Sequence, residues 1–241
     1  MGTVGLHFKS AVSREADVSR AVAACAEAIG RSFRDRPLGA LLVYGTVNHD
    51  QRALVRAVSD AFPRIPLVGC STSGVMHNGA FFEDGYLLGM MGLGGEALRA
   101  ASACAEDIEQ DTVAKARVMG QEILAALDGP PRVILLHYDP LCPVDIELYA
   151  ATLEDMAGCP VAGGGAGQPW GPLVQTHQYF GAGVKGHAAV ALALAGDFVV
   201  EIGTTTGTSP TGLTMTVTRA EGNVLLAVSY THLTLPTNRE V

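Results

Sequence analysis

The sequence predicts an α/β fold: mixed, mostly buried β-sheet flanked by helices, laid out as two pseudo-repeated β-α-β-β halves. Three observations carry that reading. Continuous apolar runs such as Ala40-Leu41-Leu42-Val43-Tyr44 suit strands covered on both faces. Between such runs lie stretches whose apolar residues recur at helical spacing. Much of the chain's glycine, 29 residues in all, sits directly after an apolar run, where a strand gives way to a turn.

In the first half, Val4-Gly5-Leu6-His7-Phe8 reads as a short strand. Arg14 to Phe33 reads as a helix, because Val18, Val22, Cys25, Ala26 and Ile29 share one face while Arg14, Glu15 and Arg20 face out. Ser13 is its expected N-cap. After the Ala40–Tyr44 strand, Asn48 or Asp50 caps a helix to about Phe62, which Pro63 and Pro66 stop. Pro66-Leu67-Val68-Gly69 is a second buried strand ending in the turn Cys70-Ser71-Thr72-Ser73-Gly74. The turn signals Asn78-Gly79 and Asp84-Gly85 precede a returning strand, Tyr86 to Leu93.

The second half runs in the same order. Asp111 to Leu127 and Asp145 to Met156 are helices, and Val133 to Tyr138, Pro160 to Gly163 and Ala188 to Ala195 are strands. At a constant offset of 94, Leu41-Leu42-x-Tyr44 falls on Leu135-Leu136-x-Tyr138 and Pro66-Leu67-Val68-Gly69 on Pro160-Val161-Ala162-Gly163. Right-handed crossovers then place both glycine-rich turns at the carboxyl ends of central strands, where ligands of open α/β sheets collect. Phe198 to Ile202 and Thr214 to Leu226 read as antiparallel edge strands. Residues 1–227 are expected to form one domain, with halves 1–105 and 106–227.

Composition excludes several functions. A net charge of -8, from 16 Lys and Arg against 24 Asp and Glu, repels a phosphate backbone, so no nucleic acid partner is expected. The runs Leu87–Leu93 and Ala188–Ala195 are far shorter than the roughly 20 residues that cross a bilayer, so no membrane insertion is expected. Met1 to Lys9 lacks the pattern of a signal peptide, and the five cysteines have no CxxC spacing. A cytoplasmic protein with reduced thiols follows. Val228 to Thr237 is the translation, in one frame, of a widely used transposase-based sequencing adapter. Residues 228–241 are accordingly expected to be a non-native tail, with native sequence continuing beyond Ala227 in the parent protein.

Five segments, taken in order, resemble the FIST domain, a sensory module of bacterial signal-transduction proteins also found in some F-box proteins. They are Leu42-Val43-Tyr44 before a helix, Pro66-Leu67-Val68-Gly69-Cys70-Ser71-Thr72-Ser73-Gly74, Gly85-Tyr86-Leu87-Leu88-Gly89, Pro160-Val161-Ala162-Gly163-Gly164-Gly165-Ala166, and Thr214 to Asn223. The resemblance covers most of residues 1–226 and is to the N-terminal FIST region. It implies a small-ligand sensor, with amino acids as proposed ligands and haem in some members. Many members carry a His-Gly pair before the final motif, where this chain has Thr206-Gly207, so no role for that histidine carries over.

The candidate ligand-binding residues are Cys70, Ser71, Thr72 and Ser73 in one turn, Gly163, Gly164 and Gly165 in the other, and Trp170 on the adjoining loop. Hydroxyls, a thiol and successive backbone N–H groups suit a carboxylate or phosphate, glycines admit close backbone approach, and an aromatic can cover a pocket. Each feature also has an architectural reading, as a tight turn, a packing glycine or a loop anchor. No catalytic residues and no metal site are assigned. Cys70 acting as a nucleophile would need His49 or His77 as base. Asp145 and Glu147 follow a strand, and Asp145 is read as a helix cap. His177, His187, Cys142-Pro143 and Cys159-Pro160 are the features that a haem reading would use. The expected function is a cytoplasmic sensor of an amino acid or similar anionic or zwitterionic metabolite. It would act on a downstream signalling protein or a further C-terminal domain. A haem-binding gas sensor, a Cys70-dependent enzyme and a pure interaction module are the alternatives.

Overall fold

A computed structural model describes residues 5–168, 175–203, 207–209, 212, 214–221 and 224–230, and the chain divides into two compact units, Met1–Glu201 and Ile202–Val241. The first half of the first unit runs β1 (His7–Ser13), α1 (Val18–Ser32), β2 (Leu38–Gly45), α2 (Gln51–Ala61), β3 (Leu67–Ser71), the hairpin β4 (Val75–His77) and β5 (Ala80–Phe82), then β6 (Leu88–Gly94). The second half runs β7 (Arg99–Glu106), α3 (Thr112–Ala126), β8 (Val133–Tyr138), α4 (Ile146–Ala157), β9 (Val161–Gly165), the hairpin β10 (Gln178–Phe180) and β11 (Gly183–Lys185), then β12 (Ala188–Ala195). Each helix starts on an aspartate, Asp17, Asp50, Asp111 or Asp145, whose carboxylate accepts the N–H three residues on. Such a cap is worth about 1 kcal/mol.

The strands form one sheet in the order β1-β6-β2-β3-β10-β11 and another in the order β7-β12-β8-β9. Among the described residues, only the β2–β3 and β8–β9 pairs are parallel. Helices α1 and α2 cover the first sheet, with Val22, Ile29, Leu54 and Val58 packed among Leu41, Val43 and Met90. Helices α3 and α4 cover the second, through Met119, Ile123, Tyr149 and Leu153. The bare faces meet each other, Leu42, Val68 and Leu93 against Val190, Leu192 and Leu194. The result is a four-layer α/β/β/α arrangement within the first unit. The second unit contains an antiparallel pair, β13 (Met215–Glu221) and β14 (Val224–Tyr230).

The expected α/β class, mixed sheets flanked by helices, is observed, and several details differ. The first strand begins at His7, and Ser13 ends it rather than capping α1, a role Asp17 takes. Strand β7 was invisible because its alanines and Ser102 are weak strand formers. Gly163, Gly164 and Gly165 are strand residues of β9, and β9 is an edge strand rather than a central one. Phe198 to Ile202 forms no strand, and β13 and β14 make their own two-stranded sheet instead of adding to an edge. Strand β14 runs into the first residues of the expected tail, Val228 to Tyr230, which does not bear on their origin, and residues 231–241 lie outside the described residues.

The two parallel pairs are hydrogen-bonded alike: Leu41 N donates to Pro66 O and Ile134 N to Pro160 O, while Thr72 N donates to Gly45 O and Ala166 N to Tyr138 O. Tyr44 is the next-to-last residue of β2 and His137 the next-to-last of β8. Those two side chains meet: Tyr44 Oη lies 3.1 Å from His137 Nε2, with the rings edge to face. Burial lowers the His137 pKa to about 4, partly offset by a hydrogen bond to the Gly164 backbone.

Close packing of the parallel pairs demands glycine at one place in each. A Cβ at Gly69 would lie 1.8 Å from the Val43 carbonyl oxygen, and one at Gly163 1.8 Å from that of Leu136. Gly69→Ala and Gly163→Ala should each lower stability by at least about 2 kcal/mol in urea unfolding. Gly164→Ala, whose Cβ meets no described atom within 4 Å, should cost less than about 1 kcal/mol. Equal losses at all three positions would refute the close-approach argument.

His137 yields a pH prediction. Its unfolded form protonates near the ordinary value of about 6.5 and its folded form only near about 4, so the unfolded state binds more protons between them. Its contribution is fully present above about pH 6.5 and is lost as pH falls toward about 4, a loss on the order of 3 kcal/mol. Urea unfolding of His137→Gln should show a correspondingly shallower pH dependence; an unchanged one would contradict the neutral buried imidazole.

Candidate functional site

The carboxyl ends of β2 and β3 face the β10–β11 hairpin, which the second half lends to the first sheet. The hairpin is held on its inner side by Tyr179, fully buried, whose hydroxyl donates to Gln51 Oε1 and lies 3.4 Å from Gly45 O. Gln51 in turn donates to the carbonyls of Thr46 and His49, which fixes the loop leading into α2. Between that loop, the first turn of α2 and the hairpin lies a cavity of about 470 Å³.

The cavity lining is polar and carries charges of both signs, Asp50 beside Arg52 and Lys185. His49, Gln51 and Arg52 contribute from the α2 side, Gln175, His177 and Lys185 from the hairpin side. His49 is only 3% exposed and packs edge to face on Tyr86. Among the described residues, neither of its ring nitrogens has a hydrogen-bond partner. A buried polar group left unpaired costs about 1–3 kcal/mol, which makes such an atom a place where a ligand gains affinity. Burial lowers the pKa of His49 and of His177, so both favour the neutral form. Arg52 supplies positive charge to the cavity, while Lys185, kept protonated by its hydrogen bond to Glu106, is paired with that carboxylate, and the amino end of α2 is capped by Asp50.

Among the described residues, none of the candidate ligand-binding residues read from sequence lines this cavity. Cys70 and Ser71 are the buried last residues of β3. Ser71 is occupied by protein partners: its N–H donates to His177 O, its hydroxyl accepts from His177 N, and its carbonyl accepts from Gly167 N. Thr72 N donates to Gly45 O, its hydroxyl bonds the Gly74 backbone, and Ser73 is exposed. The two turns do meet, at Gly167 and Ser71. Gly163 and Gly164 line a separate hollow of about 280 Å³ with Tyr138, Ile146 and Glu147. Trp170 lies outside the described residues. Sequence reasoning missed Gln51, Arg52, Gln175 and Lys185, and considered His49 only as a base. The one local signal was the aspartate-capped start of α2, placed directly after a strand.

Other expectations resolve on geometry. Burial pushes the Cys70 thiol up to about 12. Among the described residues, His77 bonds Ser10 and Asn78 and His49 bonds nothing, so neither is hydrogen-bonded to Cys70. Asp145 is the α4 cap, as expected. His177 and His187 do not share a site: the first lines the cavity and the second pairs with Glu109. The α2 cavity has few apolar groups, Val47 and Val184 among them, and does not fit the broad apolar faces of a porphyrin.

The arrangement is that of a four-layer α/β domain with a polar, charged cavity between the start of α2 and the β10–β11 hairpin. The chain belongs to the FIST N domain family, whose family model matches residues 39–229. That family is one of sensory domains in signal transduction. No curated protein matches the chain. Among the described residues, no helix is long and apolar enough to cross a membrane.

Because thiolate is the reactive form, Cys70 should resist iodoacetamide in the folded protein at about pH 8 and react on unfolding. Mass-spectrometric mapping of the alkylated sites checks this. Rapid native labelling at Cys70 would restore the enzyme reading.

Proposed function

We propose that the chain is a cytoplasmic sensory domain that binds a small anionic or zwitterionic metabolite, of amino acid type, in the cavity beside α2. The observation that carries this reading is His49, buried with both ring nitrogens unpaired among the described residues, lining a cavity that also holds Arg52 and Lys185. A carboxylate would sit against the N-terminus of α2 and Arg52, and a ligand hydroxyl or amine would meet the His49 and Gln175 side. Asp50, the α2 cap, also lines the cavity and supplies a counter-charge for an ammonium group. The volume suits a metabolite rather than a macromolecule. Ser71 contributes by holding His177 in the cavity wall, which gives the β3 end a supporting role in binding. Occupancy would pass to a downstream signalling protein or a further domain by shifting a conformational population. Five free thiols support a reducing compartment.

The test is a thermal-shift and calorimetric screen against amino acids, dicarboxylates and nucleotides. A ligand that raises Tm should lose more than tenfold in affinity on Arg52→Ala, about 1.4 kcal/mol, with the unliganded Tm unchanged because Arg52 is exposed. An identified ligand indifferent to Arg52→Ala would place the site elsewhere. A panel with no stabilising member would favour the interaction module.

A further inference from the structure

Three side chains with different donor atoms converge away from the α2 cavity. Glu109 follows β7, Cys142 lies in the loop between β8 and α4, and His187 sits between β11 and β12. A carboxylate oxygen, the thiol sulfur and a ring nitrogen all lie within 4.8 Å of one another, and His187 Nδ1 is 3.1 Å from Glu109 Oε1. We propose that Glu109, Cys142 and His187 bind a divalent transition-metal ion of the zinc type.

Donor chemistry selects the ion. One thiolate, one imidazole and one carboxylate form a borderline set that suits zinc, whereas calcium and magnesium take oxygen ligands. Tetrahedral bonds of about 2.0–2.3 Å put ligand atoms about 3.3–3.6 Å apart. The His187–Glu109 pair, at 3.1 Å, is already that close, and the widest spacing within the group, up to 4.8 Å, closes by about 1 Å on binding. Three protein ligands leave one position for water.

Two independent features mark the cluster as more than a surface ion pair. Cys142 is 3% exposed, and Glu109 Oε2 is buried with no hydrogen-bond partner among the described residues. An acceptor lone pair is thus turned inward beside a thiol, where a cation would satisfy it. Asp139, itself 5% exposed, braces the ligands: its carboxylate accepts from His187 N at 3.0 Å, from Leu141 N at 2.9 Å and from the Thr176 hydroxyl at 2.6 Å. Cys142 N donates to the Asp139 carbonyl. One buried carboxylate therefore fixes the backbone of two ligand-bearing segments, as outer partners of metal sites do. Asp107, Glu109 and Asp139 surround the thiol with negative charge. Binding exchanges the Cys142 S–H bond for a sulfur–metal bond and releases the proton to water, with no change of oxidation state.

The experiment titrates the full chain, stripped with a chelator, with Co²⁺ as spectroscopic probe and then with Zn²⁺. One ion per chain should bind, with the intense visible bands of four-coordinate cobalt and a thiolate-to-cobalt charge-transfer band. Cys142→Ser should abolish that band and the proton released per Zn²⁺. His187→Ala and Glu109→Gln should each weaken Zn²⁺ at least tenfold. The His187 side chain is 67% exposed, so His187→Ala should keep the metal-free Tm and carries the test if Cys142→Ser fails to fold. Absence of the charge-transfer band, or an affinity indifferent to His187→Ala and Glu109→Gln, would mean an adventitious ion only and overturn the proposal.

Discussion

Everything else in the first unit depends on the contact between the two sheets. A sheet with helices on one face and another sheet on the other has no wet side, so its central strands must be apolar throughout. Strand β12 shows how one sequence serves both. In Ala188-Ala189-Val190-Ala191-Leu192-Ala193-Leu194-Ala195 the alanines at 189, 191, 193 and 195 face α3 and α4, and Val190, Leu192 and Leu194 face the first sheet. All eight residues are buried. Small residues let the helices settle close, and branched ones fill the space between sheets. The Tyr44–His137 pair is the polar exception at this interface, and each ring there spares the other an unmet hydrogen bond.

The halves are further tied by exchange, since β10 and β11 belong by chain order to the second half and by hydrogen bonding to the first sheet. This single long-range pairing explains where the cavity lies. Antiparallel pairing of Gln178 with Cys70 and Phe180 with Val68 carries His177 and Lys185 to the amino end of α2, more than a hundred residues earlier in the chain. A polar, charged cavity forms because an aspartate-capped helix start and a lysine-bearing hairpin are brought together. Neither segment alone describes a site.

Those facts set what could be read from the sequence. Helices α2, α3 and α4 and strands β2, β8 and β12 were legible because buried runs and aspartate caps are local signals. Strand β7, with Ala100, Ala101, Ala103 and Ala105, was not, because its strand character comes from pairing with β12 rather than from its own residues. The β10–β11 crossing was hidden for the same reason, and with it Gln51, Arg52 and Lys185. Ser71 and the glycines drew notice as small residues at strand ends, but smallness alone does not separate a binding turn from a packing one.

At β3 the packing use can be traced atom by atom. Gly69 is bare because the Val43 carbonyl occupies the place of its side chain. Burial raises the pKa of the Tyr44 and Tyr179 phenols, and Cys70 nearby adds to both shifts. Ser71 spends its N–H, carbonyl and hydroxyl on His177 and Gly167, two partners from the second half. The run Gly69-Cys70-Ser71 is therefore the seat on which the second half docks. A ligand beside α2 that moved His177 would pull directly on Ser71, and through its carbonyl on Gly167 beyond β9. The same hydrogen bonds that hold the halves together thus give the cavity a short mechanical route to the second sheet.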